Sequence, residues 1–159
     1  MEFEAPIKYT AQNPLFKELI ADKMSRQYFM HHNGMTLSKI EAGYIEAQAP
    51  LNKNLLQQDG FVHGGVTSSI ADIVTGFAAF SLVKNDDRVV TSDLKVSYFN
   101  PGKGDTIFAR GWVIKAGSRL HYCESEIYVI KDEIYFMIAK GYSIMAVISG
   151  KNKSGSGAQ

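Results

Sequence analysis

The sequence predicts an α+β domain in which an antiparallel β-sheet wraps a single long apolar helix. Two observations carry that reading. The run "HGGVTSSIADIVTGFAAF", residues 63–80, leaves almost no side of its helical cylinder for water, and a helix apolar nearly all round belongs in a core. From Val89 onward the pattern changes to alternation with period two, in long segments separated by short turn-forming stretches. Such segments read as antiparallel strands that meander from one neighbour to the next.

The elements follow in order. Residues 1 to 12 form a lead-in. Asn13-Pro14 suits a helix start, because Asn can cap and Pro fits the first helical position. Leu15, Phe16, Leu19, Ile20 and Lys23-Met24 continue at helical spacing, and Asn33-Gly34 closes the region. Two alternating runs, Met35–Ile40 and Tyr44–Ala49, are joined by "EAG". In the second, Ile45, Ala47 and Ala49 share a face. Pro50 to Phe61 reads as a loop and Gly64 to Val83 as the long helix. Strands are expected over Val89–Phe99, Thr106–Lys115, Arg119–Lys131 and Ile134–Ile148, with turns at "NPGKGD", "KAGS" and Asp132-Glu133. The organisation is a lead-in and helix over 1–34, one domain over 35–149, and a Gly/Ser-rich tail over 150–159 expected to be flexible. There is no internal repeat.

The chain has 159 residues, 45% of them hydrophobic, which suits one domain with a full core. Lys and Arg number 17, Asp and Glu 16, for a net charge of +1. That balance argues against nucleic-acid or membrane-surface binding. A lone cysteine, Cys123, excludes an intramolecular disulfide. The first ten residues lack the pattern of a signal peptide, and no apolar run is long enough to span a bilayer. A soluble cytoplasmic protein is expected.

Several chemistries have no motif here. There is no G-x-S-x-G elbow, no C-x-x-C, no H-E-x-x-H, no G-x-G-x-x-G opening a helix and no Walker loop. No metal site is expected. "GKGDT" after Pro101 lacks the spacing of a phosphate loop and reads as a hairpin turn. His31-His32 reads as a surface or capping pair.

Two features remain. His63-Gly64-Gly65 opens the long helix, where the first N–H groups have no internal partner and the helix dipole adds positive potential. Such a terminus can hold a negative oxygen. Asp72 interrupts the apolar run, with Ser68, Ser69 and Thr75 at helical spacing making a narrow polar seam. A buried carboxylate without a basic neighbour costs several kcal/mol or keeps its proton. That expense suggests a general base or nucleophile in a partly desolvated cleft.

The spacing Q-x-x-G-x-x-H-G-G, then six residues, then Asp is met here by Gln57, Gly60, His63, Gly64, Gly65 and Asp72. It resembles the signature of the hotdog-fold acyl-CoA thioesterases, in particular the phenylacetate-degradation (PaaI-type) group. The stretch "VVTSDLKVSYFNPGKGDTIFARGWVIKAGSRLHYCESEIYVIKDE" is similar to that family's downstream strands, so the resemblance spans roughly Met35 to Ile148. It implies a hotdog fold and hydrolysis of an acyl-CoA to free acid and coenzyme A, with no cofactor beyond the coenzyme A of the substrate. Residue by residue, Asp72 matches the catalytic carboxylate and Gly64 the glycine whose N–H polarises the thioester carbonyl. Gln57 stands where many members have Asn; it is one methylene longer but can still donate. His63 and Gly65 complete the motif, and Thr91 matches a hydroxyl position near the carboxylate. The turn holding Lys115, Gly117, Ser118 and Arg119 resembles the coenzyme A contact region.

Phe77, Phe80, Tyr98 and Phe99 are candidates for the acyl surface. Gly64 and Asp72 lie eight residues apart, about 12 Å of helical rise. That is too far for both to reach one thioester carbon, so they are expected to come from different subunits. The resemblance also implies active sites at a homodimer interface, with dimers often pairing into homotetramers. The alternatives are a non-catalytic acyl-CoA-binding regulator, or a hotdog dehydratase or hydratase using His63 with Asp72.

Overall fold

A computed structural model of the chain describes residues 2–150. Helices α1 (Phe16–Ser25) and α2 (Tyr28–His32) precede strands β1 (Thr36–Glu41) and β2 (Tyr44–Pro50). The long helix α3 (Gly64–Phe80) follows, then β3 (Arg88–Tyr98), β4 (Thr106–Ala116), β5 (Leu120–Lys131) and β6 (Ile134–Ile148). The strands form one six-stranded sheet in the order β1-β2-β4-β5-β6-β3, antiparallel throughout.

Three expectations are corrected. The strands do not simply meander. α3 carries the chain across the sheet, so β3 lands at the far edge beside β6, and β4 returns to pair with β2. The first helical region is two helices broken at Arg26-Gln27. Asn13 caps a turn ahead of α1: its Oδ1 accepts the Leu15 N–H at 3.0 Å, and regular helix begins at Phe16. α3 stops at Phe80, three residues early. The Ser81 hydroxyl donates to Ala78 O at 2.7 Å and accepts the Gly43 N–H at 2.7 Å, tying the helix end to the β1–β2 turn. Of the expected tail, residues 151–159 lie outside the described residues.

α3 is seated hard against the sheet. Ile70, Ala71, Val74 and Ala78 are fully buried, facing Ile45, Ile107, Ala109 and Ile127. Each large aliphatic side chain buried this way contributes about 1.5–3 kcal/mol. The contact is close because β4 carries Gly111 beneath the helix: a Cβ there would lie 2.7 Å from Val74 Cγ2 and 2.8 Å from the Val74 carbonyl carbon. The opposite sheet face carries an aromatic cluster of Phe108, Tyr128 and Tyr135, closed by Phe3 from the lead-in. The Lys39 ammonium donates to Phe3 O at 2.9 Å and so ties down the same segment.

Candidate active site

Asp72 is not buried within one chain; it is half-exposed. The reading of a buried carboxylate is therefore corrected, and the reason is the position of α3. Val74 and Thr75 face the sheet, while Asp72, Ile73 and Gly76 face an open cavity of about 690 Å³. The Thr91 hydroxyl donates to Asp72 Oδ1 at 2.7 Å. The β3–β6 register shifts between Thr91 and Asp93, an irregularity of the kind that re-aims a side chain next to a site.

The polar seam works differently from the expectation. Ser68 and Ser69 both donate to Gly65 O, at 3.1 and 2.7 Å, and Thr75 donates to Ala71 O at 2.9 Å. These hydroxyls satisfy helix carbonyls, and the carboxylate's partner comes from β3 instead. Of the four aromatic candidates, Phe77 and Phe80 line the cavity beside Asp72. Tyr98 and Phe99 do not; Tyr98 ends β3 beside the other end of α3, and Phe99 follows it.

At that other end, His63 caps the helix. Its Nδ1 accepts the Gly65 N–H at 2.9 Å, so this nitrogen is occupied in the cap. A Cβ on Gly65 would meet the same Nδ1 at 3.0 Å, which is why a glycine stands beside the cap. The Gly64 N–H has no acceptor among the described residues. The Tyr98 hydroxyl donates to Gly64 O at 2.9 Å and fixes that peptide against β3. Sequence reading missed this contact, since no local pattern links residues 34 positions apart. Gln57 is half-buried in the loop before α3, in a turn closed by Gly60 N–H to Gln57 O at 3.0 Å. Gly117, Ser118 and Arg119 form the β4–β5 hairpin turn, closed by Gly117 N–H to Leu120 O at 2.9 Å, and Lys115 lies just before it near the end of β4. None of the four lines the Asp72 cavity.

A model of the thioesterase superfamily matches residues 59–135. The crystal structure of a thioesterase family protein from Silicibacter pomeroyi superposes with a TM-score of 0.83 at 30% identity, covering 85% of this chain and 99% of that one. The chain belongs to the thioesterase superfamily. This thioesterase has the hotdog fold: one antiparallel sheet wrapped around a long helix. Escherichia coli PaaI, from the phenylacetic acid degradation operon, shares that fold at a TM-score of 0.76 and 19% identity, over 85% of this chain and 94% of its own. The medium/long-chain acyl-CoA thioesterase YigI of Salmonella typhimurium is 24% identical over 140 residues, 74% of this chain and 88% of its own. The protein is a thioester hydrolase, and no helix among its described residues is long and apolar enough to cross a membrane.

Proposed function

We propose that this thioesterase hydrolyses acyl-CoA in the cytoplasm, with Asp72 as the general base or nucleophile and the Gly64 N–H as the main oxyanion donor. The observation that supports this most is the Asp72 carboxylate, held by Thr91 on the wall of a cavity that has both apolar and polar lining. A carboxylate so placed can take a proton from water or attack the carbonyl carbon. The unpaired Gly64 N–H, with the Gln57 amide assisting, would meet the oxygen as it gains charge; such a donor is typically worth about 2.7–4 kcal/mol of barrier. Bound coenzyme A would leave as a thiol, and the reaction needs no other cofactor. Arg119, on the turn with Gly117 and Ser118, and Lys115 just before it are proposed contacts for its phosphates.

One chain does not bring the two halves together. We assign each site to two copies, Asp72 from one and Gly64 from the other, in a homodimer or a homotetramer built from dimers. Strand β3 ends the sheet with one backbone edge unpaired among the described residues, and its Val90 is 51% exposed. A long open edge of this kind is a ready seat for a second copy.

The test is thiol release from a panel of acyl-CoA substrates by wild type and Asp72→Asn. Turnover is expected to fall by about two orders of magnitude or more in a variant that stays folded. Near-wild-type turnover by folded Asp72→Asn would remove Asp72 from the mechanism.

A further inference from the structure

The cavity beside Asp72 has two chemically different ends. Asp72 and Thr91 mark one. The other lies at Phe80, eight residues further along α3, or about 12 Å of helical rise. There the Lys23 ammonium from α1 stands 4.7 Å from the centroid of the Phe80 ring. Tyr98 of β3 meets Gly64 and Thr91 meets Asp72, so β3 runs antiparallel to α3, and Arg88, its first residue, lies three positions beyond Thr91 toward Phe80; Gln27 also lines the cavity. Neither Lys23 nor Arg88 makes a salt bridge among the described residues. Asp72 is the one acid in the lining.

A single cation here would have a plain explanation. It sits near the C-terminus of α3, where the dipole favours positive charge, and over a phenyl face. Those two effects do not call for a second cation in the same cavity without a counter-charge. A neutral acyl tail long enough to reach Phe80 would displace water from the part-buried Lys23 and give nothing back to it or to the exposed Arg88, which is unfavourable. A tail ending in a carboxylate would meet them in charge-assisted hydrogen bonds.

We propose that the preferred substrates are coenzyme A monothioesters of medium-chain dicarboxylic acids, with the distal carboxylate bound by Lys23 and Arg88. This rests on the acyl-CoA reading of the site. The span from Asp72 to Phe80 suits acyl groups of about eight to ten carbons, given a rise of about 12 Å. Shorter acyl groups do not reach the cations and are indifferent to a terminal charge.

The experiment compares kcat/KM for decanedioyl-CoA and decanoyl-CoA in the native assembly. The carrier is common to both, so its contacts cancel in the ratio. Wild type is expected to favour the dicarboxylic thioester by about tenfold or more, a preference that weakens with salt. Succinyl-CoA is expected to gain nothing over butanoyl-CoA. Lys23→Met and Arg88→Met should each shrink the long-chain ratio, and the double variant should reverse it. Wild type that hydrolyses both long substrates with equal or better use of decanoyl-CoA overturns the proposal, whether or not the variants fold. So does a preference that survives the double variant. An equal loss on every acyl-CoA, with weaker inhibition by free coenzyme A, would place both cations on carrier phosphates and also overturn it. Hydrolysis of no acyl-CoA at all would overturn the underlying reading together with this one.

Discussion

Thr91 is the side chain that holds Asp72, and a hydroxyl donated to a carboxylate aims it without neutralising it. Thr91→Val keeps the shape and removes the donor. It should lower kcat by about tenfold to a hundredfold with little change in KM, while Thr91→Ser restores much of the loss. An unchanged kcat would make the 2.7 Å contact incidental. A second residue couples pH to stability. His121 is buried at the root of the β4–β5 turn, its Nδ1 unpartnered among the described residues. Burial holds its pKa below the ordinary 6.5, against an opposing pull from the backbone of Gly117 and Ala79. Below that ordinary value the unfolded chain takes up the proton more readily than the folded one. The contribution of His121 is therefore intact above about pH 6.5 and lost progressively as pH falls below it. A Tm series from about pH 7.5 down to about pH 5 should show the decline, and His121→Phe should flatten it.

At the scale of elements, the β5–β6 turn is strained. Asp132 and Glu133 have φ of 50° and 63°, a left-handed pair that suits a two-residue hairpin and disfavours side chains larger than Asn or Gly. Replacing the pair by Asn-Gly should stabilise the fold by about 1 kcal/mol, read from the denaturant midpoint at constant m-value. No gain would mean that the turn's neighbours already compensate. These same elements show what the sequence made legible. Period-two alternation located β3 to β6 within a residue or so, because each has one face against the core. The place of β3 beyond β6 was not legible, since strand order depends on where α3 delivers the chain and not on any local pattern. The partial exposure of Asp72 was hidden for a related reason. Ile73 and Gly76 look like core residues by type, yet they line a cavity, and only the packing of Val74 and Thr75 on the sheet decides that. Lys23 carries no motif at all; α1 brings it to Phe80 through tertiary packing.

At the scale of the molecule, the separation of Gly64 from Asp72 is the governing fact. If each site draws on two copies, two inactive chains should complement each other. Asp72→Ala mixed with Gly64→Pro, under conditions where subunits exchange, gives roughly half hybrids at random pairing, each with one intact site of two. About a quarter of wild-type activity should return. Hybrids that form and stay inactive, or a fully active monomer in sedimentation-matched assays, would rule out sharing. The open β3 edge and the part-exposed N-terminus of α3 at Gly64 both stand to be covered in such an assembly.

The close seat of α3 over Gly111 has a consequence for how such a protein can diversify. One wall of the cavity is α3, clamped to the sheet so tightly that not even a methyl group fits beneath it, and that wall carries Asp72. Lys23, Gln27 and Phe29 also line the cavity, supplied by a segment that adds no strand to the sheet. Part of the selecting surface thus lies outside the helix and strand that hold the carboxylate, although Arg88 shares β3 with Thr91 and Phe80 shares α3 with Asp72. Changes in residues 16–32 can retune which acyl group is accepted while leaving the carboxylate's position untouched, whereas enlarging the floor at 111 would shift the chemistry itself.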